Sequence, residues 1–364
     1  MARKCLATTA YPHQLGVFFW TKMGNLEVWK IKHKNFFKKN PDGKIKHLLK
    51  YAILAPSTHN MQPWLFKVMK SSCVISYDPK LTLPQADAKG RDLYISLGCC
   101  IENLVIAAQY YNVFDSVNLF PKTGKYSVAE VKFKNLGKRT SENKKMKRLF
   151  STITERVNSR GLFLKKTIKR SVVAQLLKLN TFSGLKLSLL EDGDQIIEMS
   201  KLTADGLRYA YKNPKFRKEM SGWVNSNLSS RNEGIPGYSL RMPFLLSLVF
   251  PTLVRNFNVG KQVGKINFVS MSSSSLVVVI SANNDIKETW VNTGRLAERM
   301  MLFLQSNNVK TSIFVASVEM GDLYKKVQEI TKTHLIPQFV FCAGYMGHNQ
   351  KQTPRHPLET KLIS

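Results

Sequence analysis

Ala55-Pro56-Ser57-Thr58-His59-Asn60-Met61-Gln62-Pro63-Trp64-Leu65-Phe66 is the stretch from which the rest of the chain is read. Upstream, Ile45 to Leu54 carries a helical pattern that runs into Pro56, and proline lacks the amide hydrogen that a helix interior needs. Ser57, Thr58, His59, Asn60 and Gln62 then put five polar side chains in six positions. Pro63 stiffens the exit, and Trp64 to Met69 has the composition of a strand. A polar loop held between a helix end and a buried strand is a rigid place to bind a ligand. The same residues also suit an ordinary helix-to-strand turn over a core tryptophan.

Working outward, Asn40-Pro41-Asp42-Gly43 is a turn signal ahead of that helix. Residues 1–44 form an extension in which Phe18, Phe19, Trp20, Trp29, Phe36 and Phe37 alternate with lysines. Leu65–Met69 and Val74–Tyr77 pattern as a hairpin, and Asp92 is placed to cap the next helix. On that helix Leu97, Ile101, Leu104, Ala108 and Tyr111 recur at spacings of three and four, which buries one face. A second unit begins near Met146, with helices over 168–179 and 195–211 and a strand at Leu185–Leu189. Residues 212–265 form a long, irregular insertion punctuated by glycines and prolines; its aromatics and leucines argue for a lid rather than disorder. Leu276–Ile280 is apolar throughout, as in a strand buried on both faces. Thr289–Gln305 has a helical stripe, and Phe339–Cys342 is another buried strand.

Composition narrows the classes. Hydrophobic residues make up 43% and aromatics 10%, enough for a substantial core. The 55 Lys and Arg against 24 Asp and Glu give a net charge of +31, which favours anionic ligands, nucleic acid or anionic lipid. Lysine is spread through almost every segment. Five cysteines without a C-x-x-C pair argue against a disulfide framework, and the seven histidines show no metal-ligand spacing. Leu15–Trp20 and Leu245–Leu253 are too short to span a bilayer, so a cytoplasmic protein is expected. The absence of G-x-G-x-x-G, G-x-x-x-x-G-K-[ST] and G-x-S-x-G motifs removes the simplest dinucleotide-binding, nucleotide-hydrolase and serine-hydrolase readings.

The pattern A-P-S-x-H-N-x-Q-P-W-x-F at 55–66 resembles the signature of nitroreductase-fold FMN flavoproteins, especially the long single-chain branch that includes the mycobacterial Acg protein. The resemblance continues at Asp92–Ala108, Ile153–Phe163, Trp290–Gln305 and Ile336–Leu358, in the expected order. It implies an α+β fold of two pseudo-repeated halves, 45–145 and 146–364. Each half would hold a mixed or antiparallel sheet flanked by helices, with the lid insertion 212–265 in the second. It also implies one composite flavin site within one chain, so that a monomer becomes possible beside a homodimer.

FMN needs cations or amides for its phosphate, polar partners for its ribityl chain and a flat slot for its ring; a cation near N1 and O2 favours reduction. Arginine suits the phosphate and ring positions because its planar fork donates parallel hydrogen bonds and stays charged. By resemblance, Arg156 in Arg156-Val157-Asn158-Ser159-Arg160 serves the phosphate or ribityl chain, Asn158 the ribityl or ring polar atoms, and Arg160 the N1/O2 edge. Pro56, Ser57, His59 and Asn60 would line the ring, with His59 titrating near neutral pH as a proton relay. Arg355, in the closing Thr353-Pro354-Arg355-His356-Pro357 segment, would reach the phosphate, with Lys351 a weaker candidate. Gln62 is expected to tie the loop to backbone, Trp64 to lie in the core, and Trp290, Gly294 and Glu298 to be structural. No metal site and no certain catalytic residue emerge.

The resemblance therefore implies an oxidoreductase that takes electrons from NAD(P)H, a transient donor, and passes them through FMN to a small flat acceptor such as a nitro compound or quinone. A non-catalytic FMN store beneath the lid is the first alternative. A basic nucleic-acid or anionic-membrane binder, resting on the charge and the lysine–aromatic extension, is the second. The leading reading expects neither nucleic acid nor membrane as a stable partner.

Overall fold

Asn40 caps the first helix rather than opening a free turn: its side chain accepts the Gly43 amide at 2.8 Å, and Pro41 takes the first helical position, where its missing amide hydrogen costs nothing. The computed structural model describes residues 24–138 and 140–364. Phe18, Phe19, Trp20 and Cys5 of the extension lie outside the described residues. From residue 24 onward the extension packs on the core, with Phe36 stacked on Tyr111 at 3.9 Å between ring centres.

The first helix, α1 (Pro41–Ala52), leads through the polar loop into the hairpin β1 (Trp64–Val68) and β2 (Ser72–Tyr77). Next come α2 (Arg91–Tyr110), β3 (Phe114–Leu119) and β4 (Ser127–Phe133). Asp92 does not cap α2. Gly90 holds the entry in the left-handed region at φ 74°, and Asp87 accepts the Leu93 amide at 2.9 Å, which leaves Asp92 buried on the helix face. Nor is α2 buried on one face only: eighteen of its twenty residues are buried, because helices lie on more than one side of it. It is the one helix among the described residues with the length and apolarity to cross a membrane, and here it is the core helix.

The second half runs α3 (Lys147–Ser151), α4 (Arg170–Lys178), β5 (Leu185–Leu190), α5 (Gly193–Lys212) and α6 (Pro214–Trp223). A short pair, β6 (Val224–Asn225) and β7 (Ile235–Pro236), precedes α7 (Phe244–Asn256) and α8 (Gly260–Ser272). β8 (Leu276–Ala282), α9 (Lys287–Ser306), β9 (Lys310–Ile313), α10 (Ala316–Glu319), α11 (Leu323–Thr331), β10 (Ile336–Gly344) and β11 (Leu362–Ile363) complete the chain. The insertion is thus largely helical and not irregular. Asn213 and Pro214 are the cap and first position of α6, Pro251 lies inside α7, and Gly264 lets α8 approach the Ala204 carbonyl of α5.

The fold class is α+β, with two main sheets. One has the order β11-β1-β2-β4-β3, antiparallel except where β11 joins β1 in parallel. The last residues of the chain therefore complete the sheet of the first half. The other, β5-β8-β10-β9, is antiparallel throughout, and its strand β8 is buried at every residue. The two halves meet where α2 crosses α9. A Cβ on Gly98 would collide with the Val291 carbonyl oxygen, and one on Gly294 with that of Ile95, so the helices touch backbone to backbone.

Candidate functional site

The loop after α1 is held in a conformation that residues with side chains seldom adopt. His59, Asn60 and Gln62 have φ of 52°, 57° and 54°. Asn tolerates this left-handed region better than His or Gln, so the surroundings must enforce it. They do so from three directions. Within the loop, Ser57 Oγ accepts the Gln62 amide at 2.9 Å, and from α2 Ser96 Oγ accepts the Thr58 amide at 3.1 Å. From the insertion, the Asn232 and Gly234 carbonyls accept Asn60 Nδ2 at 3.2 Å each, and Asn232 also accepts Gln62 Nε2 at 2.6 Å. From the C-terminal segment, the Pro354 carbonyl accepts Asn60 Nδ2 at 3.1 Å, and the His356 amide and Lys361 Nζ donate to Gln62 at 2.8 and 2.7 Å. Gln62 is a tie for the loop, and Trp64 lies fully in the core.

Beside this loop is a cavity of about 660 Å³, open space at its mouth included. Pro56, Ser57, His59, Asn60, Arg156, Asn158, Arg160 and Arg355 all lie in its wall, so the two distant motifs and the closing segment meet in one place. The wall also contains Trp29, Val157, Ile235, Ser239, Ile313, Lys351 and Thr353. Thr353 and Val157 could have been found by extending the motifs already noted. Trp29, Ile235 and Ser239 give no local signal, because they arrive through the folding of the extension and insertion. Among the described residues, four cationic side chains and no carboxylate line the cavity.

The three arginines differ in what they hold. Arg355 is buried; its Nη1 donates to Asn60 Oδ1 at 2.7 Å and Thr353 Oγ1 at 2.6 Å, and its Nη2 to the Leu54 and Ala55 carbonyls at 3.3 and 3.0 Å. Its guanidinium also lies over the Trp29 ring at 5.0 Å. Arg156 is buried behind the cavity, with Nε 3.1 Å from Glu298 Oε1 and Nη2 donating to the Leu54 carbonyl. Burial pushes the Glu298 carboxyl up to about 7, against the pull of Arg156. Arg160 is different: among the described residues its side chain has no carboxylate within ion-pair distance and donates no hydrogen bond. Desolvation lowers its pKa from the ordinary value. Asn158 Oδ1 accepts the Ile313 amide at 3.0 Å, which fixes the arginine segment to β9.

His59 does not behave as the sequence suggested. Burial, reinforced by Arg160 and opposed by Asp92, pushes it down to about 4. It is neutral at pH 7, so it cannot titrate there as a relay. Its Nδ1 is occluded, with no hydrogen-bond partner among the described residues. The structural expectations for α9 fare better: Trp290 Nε1 donates to Asp285 at 2.7 Å, Gly294 makes the helix crossing, and Glu298 backs Arg156. No group of metal-binding side chains occurs among the described residues, and the four cysteines they include are buried and free.

An 82-residue segment of the chain is 34% identical to proteins named putative NAD(P)H nitroreductase from two Mycobacterium tuberculosis strains, H37Rv and CDC 1551/Oshkosh. The chain is similar to these proteins over 22% of its own length and 24% of theirs. No protein-family profile matches it. Among solved structures, the FMN and NADPH-dependent nitroreductase NfnB of a Sphigopyxis strain aligns with 58% of this chain and 96% of its own, at 13% identity and a TM-score of 0.38. An oxidised iodotyrosine deiodinase bound to FMN and 3-iodo-L-tyrosine aligns with 57% and 95%, at 12% identity and a TM-score of 0.38.

Proposed function

We propose that the chain binds FMN in this cavity and uses NAD(P)H to reduce a small flat acceptor such as a nitro compound or quinone. One observation carries the reading: among the described residues the cavity wall holds four cationic side chains, all from 146–364, set against the polar loop 56–60, with no carboxylate and with one arginine, Arg160, that makes no side-chain hydrogen bond or ion pair. Such a wall suits an anionic ligand. The local identity to proteins named putative NAD(P)H nitroreductase supports the choice of NAD(P)H, and FMN is the cofactor that the resemblance at 55–66 and 156–160 implies. Bound FMN would supply the two-electron chemistry. Arg160, with its donors uncommitted, would hold the N1/O2 edge. Arg156, Lys351 and Arg355 would add positive charge on the phosphate side, while Arg355 also fixes the loop. Pro56, Ser57, neutral His59 and Asn60 would shape the slot, and Asn158 would set the height of the arginine segment. The whole site lies within one chain, which supports a single-chain functional unit.

The test is the absorption spectrum of purified protein, with flavin counted per chain. One FMN per chain, bleached by NADPH and recoloured by a quinone, is expected. Protein that stays colourless with excess FMN overturns the reading, and two flavins per chain overturn the composite site. A second reading, a flavin store, is favoured by the insertion itself: Ile235 and Ser239 form part of the wall, and Tyr238 Oη donates to the Gln352 carbonyl at 3.0 Å. Coloured protein that NADPH does not bleach would select the store.

A further inference from the structure

Helix α7 has the sequence Phe244-Leu245-Leu246-Ser247-Leu248-Val249-Phe250-Pro251-Thr252-Leu253-Val254-Arg255-Asn256. Only Ser247 and Val254 are buried: Ser247 Oγ accepts the Asn227 amide at 3.1 Å, and Val254 packs in a cluster with Ala210, Tyr211 and Phe216. Phe244, Leu245, Leu246, Leu248 and Val249 are exposed, Leu245 to 75%, and Phe257 just beyond the helix is exposed to 61%. A run of large apolar side chains on one short helix is far from the scattered exposure normal for a soluble surface. Ordinary chain connection does not explain it, because a buried serine and valine already anchor the helix.

The surrounding charge identifies the occupant. Between Glu233 and Asp285 the sequence contains no carboxylate, yet it carries Arg241, Arg255, Lys261 and Lys265, all exposed. The single carboxylate on neighbouring α6, Glu219, accepts the Gln85 and Ala86 amides at 3.0 and 2.9 Å and so is already engaged. An exposed apolar helix in a segment whose only charged side chains are cations is the pattern of a helix that lies in the headgroup–acyl boundary of an anionic bilayer. A second copy of the chain would bring another +31 surface against it. Nucleic acid would match the charge and leave the leucines in water. At thirteen residues α7 is too short to span a bilayer, so the contact is peripheral.

We propose that α7 docks this protein on anionic lipid, its apolar face entering the interface while the flanking arginines and lysines meet lipid phosphates. The proposal does not depend on the flavin reading. The probe is sedimentation of the full chain with vesicles of equal parts phosphatidylglycerol and phosphatidylcholine, compared with pure phosphatidylcholine. Wild type should bind the anionic vesicles, more weakly as salt rises. Leu245→Asn combined with Val249→Asn, which leaves net charge unchanged, should weaken binding by about tenfold or more. Both positions are exposed, so the variant should melt like wild type. Separately, Val249→Trp should show a blue-shifted emission on these vesicles only. Wild type that stays in the supernatant overturns the proposal. So does a double variant that binds as well as wild type, which would leave charge alone as the cause. Micromolar dimerisation of wild type that the double variant abolishes would give α7 to a second copy and overturn it too.

Discussion

Arg355 and Arg160 line the same cavity, but only one has its donors bound to the protein, and truncation should separate them. Arg355→Ala would strip partners from Asn60 and from the Leu54 and Ala55 carbonyls in a dry interior. A buried polar group left unsatisfied costs about 1–3 kcal/mol, so a stability loss of about 3 kcal/mol or more is expected in urea denaturation. Arg160→Ala removes no side-chain hydrogen bond or ion pair among the described residues and should shift stability by about 0.5 kcal/mol or less, while weakening FMN binding by about tenfold or more. Equal stability losses for the two variants would refute this division of roles. His59 gives a pH signature. Its folded pKa of about 4 lies below the ordinary 6.5, so the unfolded state binds more protons between those values. The stability it contributes is present above about pH 6.5 and is lost as pH falls toward about 4. His59→Asn, which suits the left-handed φ of 52°, should flatten this acid limb; His47, also held near 4, would keep its own share. Denaturation curves for both proteins at about pH 7 and about pH 4.5 decide it, and parallel losses would clear His59 of any part.

The crossing of α2 and α9 is the element that brings the two halves into register. Thr58 hangs from Ser96 on α2, and Arg156 from Glu298 on α9, so the separation of these helices sets the separation of the two site motifs. Gly98→Ala or Gly294→Ala forces a methyl group into a carbonyl oxygen of the partner helix. Overpacking of this kind costs about 1–3 kcal/mol or more, and both variants should lose that in thermal or urea unfolding. Gly222→Ala, in α6 with open space around it, should be neutral or stabilising; a similar loss there would show that the test reads general glycine effects. These two helices were legible in the sequence because an apolar stripe and its length survive in any environment. The insertion was not, since the asparagine–proline and proline signals of 213–214 and 251 mean a helix start or a helix interior as readily as a break. The loop and arginine motifs were legible as binding chemistry. The direction of each guanidinium was not, because Asn60, Leu54 and Ala55, which hold Arg355 beside its local partner Thr353, lie some three hundred residues away and no local pattern encodes that approach.

At the scale of the whole molecule, the insertion and the closing segment both form part of the cavity wall, and Tyr238 pins them together. Its hydroxyl donates to the Gln352 carbonyl at 3.0 Å, and its ring lies beneath Lys351 Nζ at 5.3 Å. Burial pushes its pKa up to about 12, so the hydroxyl remains a donor at any working pH. Lys351 and Thr353 on one side of this pin, and Ile235 and Ser239 on the other, are all wall residues. If the insertion gates the cavity, a nicotinamide reaches the ring only after this contact parts, and parting then limits the rate. Tyr238→Phe keeps the ring and removes one hydrogen bond, whose net worth is about 0.5–1.5 kcal/mol; reduction by NADPH and release of FMN should therefore both quicken by about two- to tenfold. Stopped-flow bleaching and flavin fluorescence on the same sample measure the two rates. A faster release with unchanged bleaching would mean that the pin retains the cofactor without gating the donor. Unchanged rates for both would leave the insertion as a fixed wall, and the difference between enzyme and store would then have to lie in the ring environment set by Arg160.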